Sequence, residues 1–574
     1  MNKKDLIKLL EMIALFMELK GENSFKISAF RKAAQAIETD ERSLTQIGDF
    51  KTLKGVGKGT ASVMEEFIQT GKSSVLDSLK EEVPNGLVPL LKLPGLGGKK
   101  IAKLYHELNI KSMDDLKRAC EKHQVQSLAG FGAKTEEKIL AVIGEVGTRP
   151  ERLPIAFMLL IAEELDGVLA GIPEVAQFSR AGSLRRARET IKDLDYIVST
   201  AEPATVGEEL LNIQGVKEIL SHGETKVSIV LEREYDVSVD VRLVKQESYA
   251  TTLHHFTGSK DHNVRMRRLA KERGEKISEY GVESVETGDV TYFSSEKEFY
   301  HHFGLSFIPP EVREDGTEVD RHEDTESLIT INDIKGDVHM HTTWSDGAYS
   351  LEEMIEACRA KGYEYMAITD HSHYLKVANG LSPERLRKQV KEIKALNKRY
   401  DDIEILAGIE MDILPDASLD YDNDLLQELD IVIASIHSSF SQSQEKIMER
   451  LQTALDNPHV DIIAHPTGRI IGKRKGYKVD VEELIKRASK TGTVLELNAN
   501  PNRFDLSAEY VELAQSYGVP IIINTDAHDV SQLEFMELGV RAGRKGWLSK
   551  ENVLNARSWS SFSQFLNRHQ NKGE

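Results

Sequence analysis

The sequence predicts a multidomain protein of mixed α+β and α/β class: a helical N-terminal region, a mixed strand-and-helix region, and a C-terminal distorted seven-stranded β/α barrel. Three observations predict it. Helical periodicity punctuated by three similar glycine turns fills residues 1–147. Strand and helix patterns mix over 148–316. From Gly336 onward apolar strands alternate with helical stretches, and 8 of the 18 histidines fall within 336–530. At 574 residues the chain is too long for one core, and length alone suggests about three or four folding units.

Composition narrows the class. A hydrophobic content of 40% and a charged content of 29% are those of a soluble globular chain, and no apolar run is long enough for a bilayer. The opening MNKKDLIKLLEMIALFMELKGE has a signal-like look, but Glu11 and Glu18 interrupt it and no small-residue cleavage site follows. An amphipathic helix is expected there. Cys120 and Cys358 lie in different regions and form no framework, so a reducing cytoplasm is expected. The net charge of −19 divides unevenly, +4 over residues 1–150 and −23 beyond. Metal-holding carboxylates explain part of that excess, and local motifs have to decide whether the chain binds nucleic acid.

The glycine turns are Leu53-Lys54-Gly55-Val56-Gly57-Lys58, Leu93-Pro94-Gly95-Leu96-Gly97-Gly98 and Leu128-Ala129-Gly130-Phe131-Gly132-Ala133, each before a helical stretch; Lys99 opens the second of these. Glycines permit the tight turn, and the following helix offers free N–H groups to a phosphate without reading bases. The three copies resemble helix-hairpin-helix DNA-binding motifs. Upstream, Phe25-Lys26-Ile27-Ser28-Ala29-Phe30-Arg31-Lys32 resembles the start of the small N-terminal domain of the family X DNA polymerases. The resemblance implies that this domain holds a 5'-phosphate at a gap, with Lys26 and Lys58 near it. Val63 and Gly59 stand where that family has a Schiff-base lysine and a phosphate-binding lysine. A Schiff base needs an amine, so no deoxyribose-phosphate lyase chemistry is expected at that position.

Residues 182–198 read GSLRRARETIKDLDYIV. The run from Leu194 suggests a strand, on which Asp193 and Asp195 share one face because side chains alternate. A second strand, Asp236 to Leu243, offers Asp240, with Asp236 as a rival on the same face. Gly-Ser, two carboxylates one residue apart and a distant third match the nucleotidyltransferase signature. Asp240 is preferred because Val239-Asp240-Val241-Arg242-Leu243 resembles the corresponding family strand. Three such carboxylates suit two Mg²⁺ ions. Gly182 allows close backbone approach, while Ser183 and Arg186 suit triphosphate oxygens.

HFTGSKDHNVRMR at 255–267 resembles the thumb of family X polymerases and implies template direction. By that resemblance Phe256, Thr257 and Gly258 lie beneath the incoming sugar, Asn263 reads the minor-groove edge, and Arg267 approaches the template. His255 and Lys260 depart from the family's tyrosine and aspartate, which implies altered sugar discrimination. The resemblance covers about residues 1–316.

An acidic stretch, 310–334, reads as a linker expected to be flexible. Beyond it come seven apolar strand candidates ending in metal-competent residues: His339 and His341 with Asp346, then His371, Glu410, His437, His465, Asn498, and Asp526 with His528. Polar residues at strand C-termini imply an α/β barrel with its site there. The set resembles the PHP (polymerase and histidinol phosphatase) family, which implies up to three ions, Mn²⁺ or Zn²⁺. One would lie on His339, His341, Glu410 and Asp526. Glu410, His437 and His465 would hold a second, and Asp346, His371 and His528 a third. Asp346 replaces a common family histidine and implies a shift towards Mn²⁺. Phosphoester hydrolysis is the expected reaction. The basic run Gly472-Lys473-Arg474-Lys475 reads either as a DNA contact near this site or as a solvated loop.

The expected organisation is therefore a helix-hairpin-helix DNA-binding domain (1–80), a fingers-like helix-hairpin-helix domain (81–147), a nucleotidyltransferase palm (148–246), a thumb (247–316), a linker (317–334) and a PHP barrel (335–574). The expected function is gap-filling DNA synthesis with a 3'-5' exonuclease and an abasic-site endonuclease in the barrel. Expected partners are gapped or primer-template DNA and deoxynucleoside triphosphates, for a monomer that does not engage membranes. Two alternatives stay open for the barrel: a histidinol-phosphatase-like phosphomonoesterase and a non-catalytic metal-binding scaffold.

Overall fold

The computed structural model describes residues 3–38, 40, 42, 44–93, 96–146 and 150–568. Two compact units divide them: Met1–Arg149 with His341–Met354 and Lys376–Leu381, and Pro150–Met340 with Ile355–Leu375 and Ser382–Glu574.

In the first unit, the Lys3–Lys20 helix has the amphipathic character expected of it. Leu6, Leu10, Ile13 and Leu19 are fully buried, Glu11 is exposed, and buried Glu18 pairs with Arg31 at 2.8 Å. Among the described residues, no helix is long and apolar enough to cross a membrane. Each glycine turn precedes a helix: Lys58–Thr70, Gly98–Leu108 and Ala133–Val146. Gly55 and Gly130 adopt φ of +96° and +91°, which only glycine reaches cheaply. Gly57 and Gly97 are the N-caps, and Thr60 Oγ1 accepts from the Gly57 N–H at 3.0 Å. Gly95 lies outside the described residues.

The second unit opens with a five-stranded sheet in the order Val175–Arg180, Leu194–Thr200, Val237–Val244, Lys226–Leu231, Val216–His222. Leu194–Thr200 and Val237–Val244 run parallel at its centre, and the other pairings are antiparallel. The Tyr249–Thr257 and Lys260–Glu272 helices follow, then a small three-stranded sheet around a core containing Met266, Phe299 and Tyr300.

The acidic stretch is not a free tether. Glu311 and Glu318 are buried, and Glu318 pairs with buried His262 at 2.6 Å. Arg313 is fully buried against Glu296 at 2.7 Å. Further on, the Ile329 N–H donates to the Leu548 carbonyl at 2.9 Å, and Arg321 stacks 3.9 Å over the Trp547 ring. Glu311, Glu314 and Glu318 meet basic groups from distant parts of the chain: Arg541, Lys545 and His262.

The seven barrel strands pair in sequence order, all parallel: Gly336–Asp337, Tyr365–Ile368, Glu404–Asp412, Ile431–Ser435, Ile462–Ile463, Val494–Asn498 and Ile521–Asn524. A parallel bridge between Met340 and Ala527 brings the last strand to the first. Strands buried on both faces are nearly continuous apolar runs, which is why they were legible. Regular pairing of the first strand stops at Asp337, short of the extended run through His341 that the sequence suggests.

Candidate active sites

The first site lies at the palm. Asp195 is in register with Asp240 on the neighbouring parallel strand, and Asp193 sits just before Leu194–Thr200. Burial raises the Asp195 carboxyl to about 7, and the negative charges of Asp193 and Asp240 add to the rise. Three converging carboxylates of this kind repel one another unless cations intervene, which fits divalent metal ions. Asp240 accepts from Ser228 Oγ at 2.5 Å and lies 3.1 Å from Lys226 Nζ. The rival Asp236 precedes its strand and pairs with exposed Lys217 at 2.7 Å.

Gly182 is required where it stands. Its φ is +58°, and a Cβ there would fall 2.0 Å from Asp195 Oδ2. The Gly182–Arg185 turn presents Ser183 and Arg186 to a cleft of about 460 Å³ that Asp193, Asp195, Phe256, Gly258, Asn263 and Arg267 also line. The Arg186 guanidinium donates to the Thr257 carbonyl. Arg242 lies 4.5 Å over the Phe256 ring, and Asn263 Nδ2 donates to the His255 carbonyl at 2.7 Å. The thumb segment and the Gly-Ser turn therefore meet. Arg152 and Lys192 also line the cleft. Neither was singled out from sequence: Lys192 adjoins Asp193 and could have been, whereas Arg152 carries no local signal.

The second site is the C-terminal mouth of the barrel. Glu410 is fully buried, with its carboxylate 2.9 Å from His371 Nδ1, 2.9 Å from His465 Nε2, 3.2 Å from His437 Nε2 and 3.4 Å from His339 Nε2. In the first unit His341 Nδ1 lies 4.0 Å from Asp346 Oδ1; in the second Asp526 Oδ1 lies 3.5 Å from His339 Nε2 and 3.7 Å from His528 Nδ1. Ligand atoms of His371, Glu410 and His437 lie within 4.8 Å of one another. Imidazole nitrogens packed around carboxylate oxygens fit divalent transition ions.

Two buried carboxylates behind this shell escaped the sequence reading. Glu496 accepts from His339 Nδ1 at 2.7 Å and from the His465 N–H at 3.1 Å. Asp412 Oδ2 lies 3.3 Å from His437 Nδ1. Burial depresses the His437 imidazole, but Glu410 and Asp412 outweigh it and hold it up to about 10. The available signal was parity: Asp412 follows Glu410 by two on one strand, and Glu496 precedes Asn498 by two on another. Asn498 itself donates to Asp526 at 3.1 Å. In the basic run, Arg474 stacks 4.1 Å over the Phe440 ring, while Lys473 and Lys475 are exposed.

In the N-terminal unit, Lys58, Lys99, Gly57, Gly97 and Gly132 are exposed. Exposed Lys26 pairs with Glu22 at 3.2 Å. Val63 is a core residue, 6% exposed.

Residues 1–73 match a helix-hairpin-helix domain, 88–145 a SAM-like helix-hairpin-helix tandem, 252–314 the DNA polymerase beta thumb, and 337–500 the PHP domain. The chain is 61% identical over 569 residues, 99% of its length and 100% of the relative's, to a Bacillus subtilis (strain 168) protein named DNA polymerase/3'-5' exonuclease PolX. A probable phosphatase of Thermoanaerobacter sp. (strain X514) is 29% identical over 38% of this chain and 89% of its own. One of Shewanella sediminis (strain HAW-EB3) is 28% identical over 41% and 95%.

Proposed function

The chain belongs to the bacterial family X DNA polymerases that carry a C-terminal PHP domain, and we propose on that footing that it fills short gaps in DNA repair and trims 3' ends. The observation that carries the polymerase reading is the in-register pair Asp195 and Asp240 beneath the Gly182–Arg185 turn. Asp193, Asp195 and Asp240 are proposed to hold two Mg²⁺ ions, which when bound activate the primer 3'-hydroxyl and neutralise the leaving pyrophosphate. The remaining work falls to the chain. Ser183 and Arg186 bind triphosphate oxygens, with Arg152 and Lys192 adding positive charge to the same cleft. Phe256 and Gly258 support the sugar, Asn263 meets the nascent pair, and Arg267 faces the template.

In the barrel, His339, His341, Asp346, His371, Glu410, His437, His465, Asp526 and His528 are proposed to hold up to three Mn²⁺ or Zn²⁺ ions, which when bound supply hydroxide for phosphodiester hydrolysis. Glu496 and Asp412 fix the orientation of the His339 and His437 rings. A 3'-5' exonuclease, extending to abasic sites, is the activity this arrangement serves. A phosphomonoesterase reading accounts for about the barrel alone and leaves the aspartate cleft without a task. Gly55, Gly57, Gly95, Gly97, Gly130 and Gly132, with Lys26, Lys58 and Lys99, are proposed to grip DNA backbone, Lys26 and Lys58 near a 5'-phosphate. Both cysteines are free and buried, which supports a reducing, cytoplasmic setting.

The test is incubation of the pure protein with a gapped, 5'-phosphorylated duplex in Mg²⁺ or Mn²⁺, with and without nucleotides. Primer extension with nucleotides and shortening from the 3' end without them are the expected outcomes. Metal-dependent hydrolysis of a small phosphomonoester with DNA ends untouched would sink the exonuclease reading.

A further inference from the structure

Within the second unit, one barrel helix is seated against the Gly182–Arg185 turn that borders the palm cleft. The Phe535–Lys545 helix packs by Gly539 on the barrel, where a Cβ would fall 2.5 Å from Ala499 and 2.7 Å from Ile523. Its outer side carries Arg541 and Lys545. Arg541 Nη2 donates to the Leu184 carbonyl at 3.2 Å and to the Arg185 carbonyl at 2.7 Å. Lys545 Nζ lies 3.4 Å from the Arg186 carbonyl and 2.5 Å from Glu314 Oε1. These carbonyls end the short Gly182–Arg185 turn; Leu184 also accepts from the Ala187 N–H at 3.0 Å, so Arg541 adds a second donor there and meets the Arg185 carbonyl beyond the last turn bond. Cations placed there also complement the negative end of the turn.

Glu314 extends the connection. Its other oxygen pairs with Arg188 at 2.6 Å, its carboxylate lies 3.7 Å from Arg186 Nε, and its backbone carbonyl accepts from Ser259 Oγ at 2.5 Å. Glu311, one turn earlier, receives Arg541 Nε at 3.1 Å and Arg544 at 3.5 Å. Burial holds the Lys545 ammonium below its usual range despite the opposing pull of Glu314, and Lys545, with Arg188 and Arg186, outweighs burial to hold Glu314 below the usual carboxylate range.

We propose that Arg541 and Lys545 of the barrel helix are positioning residues for nucleotidyl transfer, holding the Ser183–Arg186 turn and the Arg186 guanidinium in the geometry that binds the incoming triphosphate. This rests on the reading of the palm cleft as the nucleotide site. Neither side chain lines that cleft. Each acts through backbone carbonyls or through Glu314, so a change in either is felt by the nucleotide only at second hand. The barrel is in this way a structural part of the polymerase as well as a separate catalyst.

The test uses the full chain, with nucleotide incorporation on a primer-template measured alongside shortening of a single-stranded 3' end. Lys545→Met and Arg541→Met should each raise the nucleotide KM about tenfold while kcat changes far less, as expected when a charged hydrogen bond supporting binding is lost. Lys545→Arg should restore KM, because a guanidinium also reaches Glu314 and the carbonyl. The exonuclease rate should stay near the parent value in all three. An unchanged nucleotide KM in both Met variants, with Arg186→Ala raising it, would overturn the proposal. So would loss of both activities together with a lowered unfolding temperature that Lys545→Arg does not repair. An unchanged KM in Arg186→Ala would remove the cleft reading itself, and this inference with it.

Discussion

Asp195 and Asp240 stand opposite each other in register on parallel neighbouring strands, while Asp236 lies outside the strand with its carboxylate 2.7 Å from Lys217. That register separates two aspartates which sequence periodicity places on one face. Asp240→Asn should therefore lower nucleotide addition by more than about a hundredfold, the scale at which even outer-shell losses stop, and leave 3'-end hydrolysis near the parent rate. Asp236→Asn should extend primers normally. Primer-extension rates of the two variants check this, and robust extension by Asp240→Asn would reassign the third ligand.

Substitution in the barrel should give the reverse separation. His339→Ala, His341→Ala or His437→Ala should remove metal-dependent DNA hydrolysis and preserve extension. Glu496→Gln keeps every direct ligand but replaces the acceptor of the His339 Nδ1 hydrogen, 2.7 Å away. It should weaken metal binding by about 10–100-fold. Chelator competition measures this directly; unchanged metal affinity in Glu496→Gln would show that the ring is oriented by something else.

The N-terminal unit should bind and not react. Val63 is buried in its core, so no amine is available at that position. Borohydride treatment with an incised abasic site should trap no adduct in residues 1–80. A 5'-phosphate should still tighten gap binding, and Lys26→Ala should lessen both that gain and the salt dependence of affinity, since each phosphate contact releases bound cations. A trapped peptide from this region would reverse the reading.

Glu296 joins Arg185, which enters the Gly-Ser turn, to fully buried Arg313 at 2.6 and 2.7 Å. Burial raises its carboxyl, but the two arginines outweigh that and hold it down to about 2, below the ordinary 4.5. A carboxyl depressed in the folded state stabilises above its unfolded pKa and loses that contribution as pH falls through the folded value. About 3 kcal/mol should disappear between pH 4.5 and about 2. Glu296→Gln should lack this acid limb and lose about 3–5 kcal/mol at neutral pH, because fully buried Arg313 loses its carboxylate partner, while half-buried Arg185 keeps Thr257. Unfolding followed against pH for both proteins checks it; parallel profiles would argue against the pair.

Some of this architecture was legible because it depends on short-range patterns. Strand and helix periodicity announce the barrel, its seven strands pair in sequence order, and metal-binding side chains fall at strand ends because a parallel sheet places all its C-termini on one side. The glycine turns, the Gly-Ser with paired aspartates and the thumb motif are likewise local, since each needs a particular residue at a fixed offset. Gly182 shows why: a side chain there would strike Asp195.

Only the tertiary structure decided the rest. Which aspartate faces Asp195 is a matter of strand register, and periodicity of two leaves Asp236 and Asp240 equivalent. Arg152 has no motif around it and joins the cleft through folding alone. Glu496 and Asp412 become supports for His339 and His437 only when distant strands pack side by side. The acidic stretch after the thumb reads as a flexible linker in sequence because its partners, among them His262, Arg541 and Lys545, lie about 50 to more than 200 positions away. Sequence patterns record what a residue needs from its immediate neighbours; charge pairing and register are settled between segments that meet only in the folded chain.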